Sequence, residues 1–319
     1  MQWILIALVS LLSVSATASQ LSEKWKSALL SQSDCQNFVR FDANNLYLGF
    51  GSYKRGFEEP REPIPGFLRV APLQNGQTPF DLATNDSTID SLSDGNSLYI
   101  LTYSGIEEWN LSQKTRVAIY PTSLRPAVRY KQHALAFARY QNKLVIAHGR
   151  FGVSFFDMET KKITAQIDLV PGQAPLESMA TGLIVKDNKA YIVLDNFHVV
   201  TQGKQPFRGI VTVDLDRELV SGRSEGMDPG ATSLAGFGSD FIVSFNGLPL
   251  WKYSLSAVQT PQLAAPDSRV WRFPEIDHPI GKAVIDDLFY YSCALKAPAQ
   301  VGEPYTRVPV VLERANWNL

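Results

Sequence analysis

The chain has 319 residues, of which 30 are Lys or Arg and 31 are Asp or Glu, so its formal net charge at pH 7 is -1. A charge this close to zero gives no global field that would attract nucleic acid or anionic lipid, and binding to nucleic acid is not expected. Hydrophobic residues make up 45% of the chain, with 19 Pro and 21 Gly spread along it, which excludes a disordered chain and is typical of a core-forming protein with many turns.

The N-terminus predicts export. An apolar run, WILIALVSLL over residues 3–12, is followed by small and polar residues in which Ala16, Thr17 and Ala18 form an A-x-A cleavage site. The run is shorter than the ~20 residues needed to cross a bilayer. We therefore expect a signal peptide over residues 1–18, cleaved after Ala18, and a periplasmic or secreted mature protein with no membrane span. An uncleaved membrane anchor is the alternative.

A short segment separates the signal peptide from the main domain. Within residues 19–33 the sequence LSEKWKSALLSQ, which begins at Leu21, has the spacing of a short amphipathic helix. The remaining residues, 34–319, are predicted to form one domain because they share a repeat.

The repeat is a polar turn followed by an apolar strand rich in β-branched and aromatic residues. Its six copies are NNLYLGF from Asn44, NSLYILT from Asn96, NKLVIAH from Asn142, NKAYIVL from Asn188, SDFIVSF from Ser239 and DDLFYYS from Asp286. Equivalent residues of successive copies lie 46 to 52 residues apart. This spacing is what the blades of a β-propeller produce, at ~40 to 50 residues each.

Further strands accompany each copy. A milder strand precedes it, as in CQNFVRF, STIDSL and HALAFA, and its small residues suit the crowded axis of a propeller. A second motif follows it: GFLRVAP from Gly66, GIEEWNL from Gly105, GVSFFDM from Gly152 and GIVTVDL from Gly209. In two repeats this strand runs through a polar turn into a fourth. The sequence thus predicts an all-β fold, a six-bladed β-propeller of four-stranded antiparallel blades, with seven blades as the alternative.

Two of the repeats carry a resemblance to a known group. GVSFFDMETKKITAQIDL and GIEEWNLSQKTRVAIY resemble the YVTN-type propeller repeats of exported bacterial proteins. The resemblance implies the propeller fold. It says little about activity, because proteins with unrelated activities share this pattern.

The chain has two cysteines, Cys35 at the start of the first blade and Cys293 in the last. First and last blades are neighbours in a ring, and an exported protein with two cysteines so placed is expected to join them as a disulfide at the seam. Two free thiols or a metal-bound pair are the alternatives.

One face of the predicted ring gathers polar residues. In a propeller, the connections from each outermost strand to the next innermost strand share a face, the top face, with the loops between second and third strands. The residues that enter the innermost strands there form the predicted channel mouth: Gln36, Thr88, His133, Glu177, Thr232 and His278. The loops of the same face add Arg55, Tyr103, His148, Arg150, Asn196, His198 and Asn246.

These residue types leave two functions open. The first hypothesis is an exported, monomeric propeller that binds a partner protein or a small-molecule ligand through its top face. The second is a lactonase-like hydrolase, in which His133, Glu177 and His278 hold a divalent metal ion or act as an acid and base pair. No other cofactor is indicated, and the sequence contains no H-E-x-x-H, G-x-S-x-G or EF-hand motif that would favour the enzyme.

Overall fold

A computed structural model describes residues 36–51, 63–124, 134–149, 152–171, 179–195, 207–227, 231–245, 250–263, 268–271, 278–286, 289–296 and 306–313. Its last four strands are described by their backbone. The predicted signal peptide, its cleavage site at Ala18 and the helical segment 19–33 lie outside these residues, so those predictions stay open.

The described residues form 23 β-strands and one short 3-10 helix, Ala257–Gln259. The strands are β1 Phe38–Phe41, β2 Asn45–Phe50, β3 Gly66–Pro72, β4 Phe80–Thr84, β5 Thr88–Asp94, β6 Ser97–Thr102, β7 Ile106–Asn110, β8 Thr115–Tyr120, β9 Ala136–Tyr140, β10 Lys143–Ala147, β11 Val153–Asp157, β12 Lys162–Ile167, β13 Met179–Lys186, β14 Lys189–Asp195, β15 Gly209–Asp214, β16 Leu219–Glu225, β17 Ala231–Phe237, β18 Asp240–Phe245, β19 Leu250–Tyr253, β20 Ser268–Trp271, β21 His278–Asp286, β22 Phe289–Lys296 and β23 Thr306–Glu313.

Consecutive strands pair antiparallel to build separate sheets. Five sheets have four strands each, β1–β4, β5–β8, β9–β12, β13–β16 and β17–β20, and we call them blades 1 to 5. Each copy of the first repeat motif forms the second strand of its sheet, as in β10, where Leu144 pairs with Arg139 of β9 and Phe156 of β11. Second strands are almost wholly buried because they pack on both faces.

The first strands of the sheets surround a common axis. Strand β1 contacts β5, β5 contacts β9, β9 contacts β13, β13 contacts β17 and β17 contacts β21, and the ring closes because β1 also contacts β21 and β22. The apolar core lies between blades rather than along the axis. For example, Trp109 of blade 2 packs in one cluster with Phe38 and Leu68 of blade 1, and Phe155 of blade 3 packs with Ile192 of blade 4.

The predicted number of blades is wrong. The structure has five four-stranded blades, neither six nor seven, and the last repeat forms a sheet of three strands, β21, β22 and β23, in the part of the chain that is described. The first repeat motif marks only the hairpin of first and second strands. Counting its copies therefore counts hairpins, and the last hairpin has a third strand but no described fourth.

The glycine that opens the second motif has a steric role. A Cβ atom at Gly152 would lie 2.1 Å from the carbonyl oxygen of Ile167, and the φ angle of this glycine is +82°. At Gly105 a Cβ atom would lie 2.4 Å from the carbonyl oxygen of Tyr120. Contacts this short are not tolerated, so any larger residue displaces the third strand of a blade from the fourth where the two come together.

We expect Gly152→Ala to lower the free energy of unfolding by roughly 3 kcal/mol, since a strained φ angle alone costs about 1–3 kcal/mol and a clash with backbone adds to it. Gly76 has a φ of +88° but no atom within 4 Å of a Cβ there, so Gly76→Ala measures the cost of the strained φ angle without a steric clash. Gly222 has neither feature, and Gly222→Ala is the neutral control. Urea denaturation ranks the three, and equal losses at all three would contradict the steric explanation.

Candidate functional site

The axis of the ring contains a cavity of about 420 Å³. It is lined by the first strands of all five blades, together with Tyr47 of β2. Pockets that bind small molecules range from about 300 to 1,000 Å³. The cavity is therefore large enough for a small ligand, and we treat it as the candidate site.

Within the described part of the chain, all the charged residues that line the cavity lie on one of its walls. Blades 1 to 3 supply Arg40, Asp42, Asp90 and Arg139, together with Ser91 and Ser93. Two positive and two negative side chains balance, so this wall does not favour a ligand of either sign. We call it the polar wall.

An ion pair between blades 1 and 2 organises the polar wall. The guanidinium group of Arg40 donates from its Nε and Nη2 atoms to the two carboxylate oxygens of Asp90, at 2.8 and 3.0 Å. Asp90 is 1% exposed, and one of its oxygens also accepts from the backbone amide of Ser91 at 2.9 Å. A buried carboxylate requires such compensation, and two parallel hydrogen bonds fix the angle of the guanidinium plane.

A second carboxylate lies at the end of the same wall. Asp42 accepts hydrogen bonds from the hydroxyls of Ser93, at 2.5 Å, and Tyr47, at 2.6 Å, and from the amides of Asn44 and Asn45. Burial raises the pKa of the Asp42 carboxyl, but these donors outweigh burial and leave the pKa below its ordinary value. Burial and the bond to Asp42 together raise the pKa of the Tyr47 hydroxyl. Asp42 is therefore an anion and Tyr47 a neutral donor near pH 7.

Blades 4 and 5 form the opposite wall, which is mostly aliphatic. Its side chains include Leu183, Ile184 and Val185 of β13 and Leu234 and Ala235 of β17. The hydroxyl of Thr181, which also lines it, donates to the carbonyl oxygen of Ala231 at 3.0 Å and is thus satisfied within the protein. The cavity is amphipathic, with a polar wall facing an apolar wall.

Buried polar atoms in the polar wall are not all satisfied by protein groups. The hydroxyl of Ser91 is buried and has no hydrogen-bond partner among the described residues. Leaving a buried hydroxyl without a partner costs about 1–3 kcal/mol. Atoms of this kind are expected where a water molecule or a ligand completes the hydrogen bonding.

Two of the predicted channel-mouth residues are described with their side chains, and both are buried. Gln36 and Thr88 are each 1% exposed, just before β1 and at the start of β5. The hydroxyl of Thr88 donates to the carbonyl oxygen of Phe50 at 3.0 Å, and its own carbonyl oxygen accepts from the side chain of Asn37 at 2.8 Å. These bonds tie the first strands of blades 1 and 2 together at the predicted top face.

Two of the predicted top-face loop residues are also described. His148 is 2% exposed, and its Nε2 atom lies 2.8 Å from the hydroxyl of Thr122, so it holds the connection from blade 2 to blade 3. Tyr103 is partly buried against the cluster that contains Ile89 and Phe137.

The other predicted site residues are not described at the level of their side chains. Thr232 and His278 are placed only as backbone positions, in β17 and at the start of β21. The remaining predicted residues lie outside the described part: Arg55, His133, Arg150, Glu177, Asn196, His198 and Asn246. The His133, Glu177 and His278 set therefore stays a prediction, and no group of three or more metal-binding side chains occurs within the residues that are described.

A second polar cluster lies away from the cavity, between blades 2 and 3. Glu108 accepts from Lys161 at 2.6 Å, Tyr120 at 2.7 Å and Tyr99 at 3.2 Å. Burial and the bond to Glu108 raise the pKa of Tyr120 to about 12. All the polar groups of this cluster bond to one another across two blades, which makes it a structural clamp.

Links of this kind recur on the face opposite the predicted top face, where the turns between first and second strands lie. Arg139 of blade 3 donates to Asp94 of blade 2 at 2.5 Å, and Tyr140 of blade 3 donates to Asp216 of blade 4 at 2.5 Å. Lys186 of blade 4 donates to the carbonyl oxygen of Gly238 of blade 5 at 2.8 Å. Each link joins a blade to the next blade along the chain.

The polar wall was not predicted from the sequence. Arg40 and Asp90 stand inside strands predicted to be innermost, CQNFVRF and STIDSL, and Arg139 directly follows a third, HALAFA; small and apolar residues otherwise prevail in these strands. A charged residue in such a strand must find a partner in the next blade or face the axis. This signal was present in the sequence.

No protein-family model and no curated protein sequence matches the chain. Among solved structures it is similar to the Cps50 (Swd1) β-propeller domain of Myceliophteria thermophila, with 12% identity, 90% of this chain and 86% of that chain covered, and a TM-score of 0.58. It is also similar to Sqt1 of Saccharomyces cerevisiae, with 10% identity, 88% and 70% covered, and a TM-score of 0.51. At these identities the similarity shows the fold alone, and the chain is a β-propeller.

Within the described part of the chain, no helix has the length and apolar character needed to cross a bilayer.

We expect the stability contributed by Asp42 to depend on pH. Its pKa is lowered in the folded protein, so this contribution is complete above the unfolded pKa of about 3.9 and is lost as the pH falls below that value through the folded pKa. Asp42→Asn, whose side chain cannot ionise, should lower the free energy of unfolding by about 1 kcal/mol at pH 7 and by progressively less below about pH 4. The loss at pH 7 is modest because the site is partly exposed.

Urea denaturation of both proteins at pH 7, 4 and 3 measures this difference. Ser93→Ala, which removes one donor, should reduce the pH dependence without abolishing it. A cost of Asp42→Asn that is the same at all three pH values would contradict the argument.

Proposed function

We propose that the protein is an exported binding protein that takes a small ligand into its axial cavity. The observation that carries this proposal is the amphipathic cavity, with the polar wall of blades 1 to 3 opposite the aliphatic wall of blades 4 and 5. The β-propeller fold itself is common in proteins that bind other molecules.

The two walls define the chemistry of the ligand. An aliphatic wall gains from burying an apolar group, at roughly 25 cal/mol per Å². The polar wall offers the Arg40 and Asp90 pair, the Asp42 carboxylate and the buried Ser91 hydroxyl. A small amphiphile, with a polar or zwitterionic end and a short apolar body, is complementary to both walls.

The predicted top face is the route by which such a ligand would arrive. The sequence-based assignment puts all six predicted mouth residues on this face: Gln36, Thr88, His133, Glu177, Thr232 and His278. A partner protein that docks on this face is part of the same proposal. The hydrolase alternative is not proposed, because no observation on the described residues favours it.

Export is supported by the predicted signal peptide, residues 1–18, and by the two cysteines. Cys293 lies in β22, and β1, which begins three residues after Cys35, contacts both β21 and β22. Cys35 lies outside the described residues. The placement of β1 against β22 supports the proposed disulfide between Cys35 and Cys293 across the seam of the ring, and the resemblance to YVTN-type repeats belongs to the same proposal of an exported protein.

Gly236→Trp should abolish ligand binding in the cavity. A Cβ atom at Gly236 meets only Ile184, at 3.8 Å, so a larger side chain there extends into the cavity. Thermal unfolding with a panel of small amphiphilic carboxylates, amines and amino acids should reveal compounds that raise the Tm of the wild-type protein in a saturable way, as selective binding to the folded state requires.

Gly222→Trp is the matched control, because Gly222 lies in the fourth strand of blade 4, away from the axis. It should respond to the same compounds as the wild-type protein, whereas Gly236→Trp should not. Compounds that raise the Tm of both variants equally bind elsewhere, and that outcome, or no response to any compound, would argue against the proposal.

Non-reducing peptide mapping of the mature protein should recover one cross-linked peptide that contains Cys35 and Cys293. Replacing both cysteines by serine should lower the free energy of unfolding by at most about 5 kcal/mol, the limit of the chain-entropy estimate for so long a loop. Recovery of both cysteines as free thiols would exclude the disulfide.

A further inference from the structure

The outermost strand of blade 2 differs from the other outermost strands in what it exposes. Val117 is 61% exposed and Ile119 is 42% exposed, at alternate positions of β8, and Leu124, which follows shortly after, is 61% exposed. These are three of the four large hydrophobic side chains that are exposed in the described part of the chain, the fourth being Leu219 of β16.

The other outermost strands whose side chains are described expose mainly polar residues. In β4 the exposed positions are Asp81 and Ala83, and in β12 they are Lys162 and Thr164. In β16 the exposed Leu219 is followed by polar residues at the exposed positions, and the end of that strand pairs with Gln262. A sheet edge is usually protected from pairing with another strand by charged side chains or by a segment of the chain that covers it. Among the described residues, nothing covers Val117 and Ile119, and Arg116, the charged residue of β8, is paired with Glu107 of the same blade at 3.3 Å.

The edge of β8 is also held in a fixed conformation. Its inner edge pairs with β7 from Ile106 to Asn110. On the face toward blade 3, the hydroxyl of Tyr120 donates to Glu108 and its ring packs on Phe156, with ring centroids 5.2 Å apart. Strand β8 is the last strand of its sheet, so its outer edge presents backbone donors and acceptors to a partner. Because the strand is already ordered, binding at this edge costs β8 no conformational entropy.

One end of the edge is positively charged. Lys114 immediately precedes β8, and its ammonium group stacks on the ring of Phe80, 4.2 Å from the centroid. No carboxylate among the described residues pairs with Lys114. A carboxylate brought to this end of the strand would gain a cationic partner in Lys114, with which no described carboxylate of the chain competes.

We propose that β8 is a docking edge for an extended segment of a partner protein, which adds to blade 2 as a fifth, antiparallel strand. The segment carries β-branched residues at alternate positions, which pack beside Val117 and Ile119, and acidic residues near its C-terminal end, which lie beside Lys114. Main-chain hydrogen bonds hold the segment, and the alternate side chains and the charge select it. This surface lies on the rim of the ring and is separate from the axial cavity.

A second copy of the chain fits the edge less well than an acidic segment. An antiparallel pair of β8 strands centred between Val117 and Ile119 would set the Lys114 end of each copy against the end that holds Tyr120, Pro121 and Leu124. No carboxylate lies in that stretch, so both ammonium groups would remain without an acidic partner.

The probe is a fluorescent octapeptide, TVTVTVEE, blocked at both ends, and its binding is measured by anisotropy at low salt. We expect saturable micromolar binding to the wild-type protein and at least tenfold weaker binding of TVTVTVKK. The double variant Val117→Lys/Ile119→Lys should lose at least tenfold in affinity and keep its Tm, because both side chains are exposed. Leu219→Lys, a similar change at an exposed leucine on another outermost strand, should bind the peptide normally.

Two measurements test the mode of binding. Amide hydrogen exchange of residues 115–120 should slow when the peptide binds, and a peptide N-methylated at the positions that face β8 should not bind. Gly236→Trp, which fills the cavity, should bind TVTVTVEE normally, so failure of the cavity proposal leaves this one intact.

Three results would overturn the proposal. The first is equal binding of TVTVTVEE by the wild-type and Val117→Lys/Ile119→Lys proteins, binding of the N-methylated peptide as tight as that of TVTVTVEE, or no binding of TVTVTVEE at all. The second is a wild-type dimer in light scattering that Val117→Lys dissociates, which would make a second copy the occupant. The third is slow exchange, before any peptide is added, of the β8 amides that point away from β7, which would show that another part of the same chain already covers the edge.

Discussion

The packing of flat sheets against one another around an axis is the constraint on which the rest of the structure depends. Each core cluster joins two consecutive blades, so no blade can bury its faces alone. The first strands meet most closely: a Cβ atom at Gly182 of β13 would lie 2.6 Å from the backbone nitrogen of Leu234 in β17. Small residues are needed where first strands touch, and the cavity remains where alanine and glycine line the axis.

The same constraint explains why charge is present at the centre of the molecule. First strands have neighbours on both sides, so a long polar side chain such as Arg40 can reach a carboxylate on the next blade without leaving the ring. Asp90 and Glu108 are buried in this way, and each depends on a cation contributed by a neighbouring blade. Such pairs add little net stability compared with apolar packing, but they penalise any arrangement of blades in which the partners are separated.

Much of the fold could be predicted from the repeat, because a turn followed by an apolar strand depends on local chemistry. The second strands β2, β6 and β10 lie where NNLYLGF, NSLYILT and NKLVIAH predict them. The number of complete blades could not be derived in this way, since most fourth strands are exposed and their sequence pattern is weak, as in LVSGRSE of β16. The site was harder still: the bonds of Asp42 to Tyr47 and Ser93 join residues 5 and 51 positions apart, and spacing alone does not reveal such pairs. Of the predicted mouth, Gln36 and Thr88 are described and buried, and the mouth as a whole stays a prediction.

The links on the face opposite the predicted top face have a consequence for how the protein tolerates change. Arg139 with Asp94, Tyr140 with Asp216, and Lys186 with the carbonyl of Gly238 each bridge a different pair of adjacent blades. The bridge of Lys186 lies in another strand from the other two, so a substitution in it should have an energetic effect that simply adds to theirs, whereas Arg139 and Tyr140 are adjacent and their effects can couple. The ring is modular in this sense: one seam can diverge in sequence while the others keep theirs.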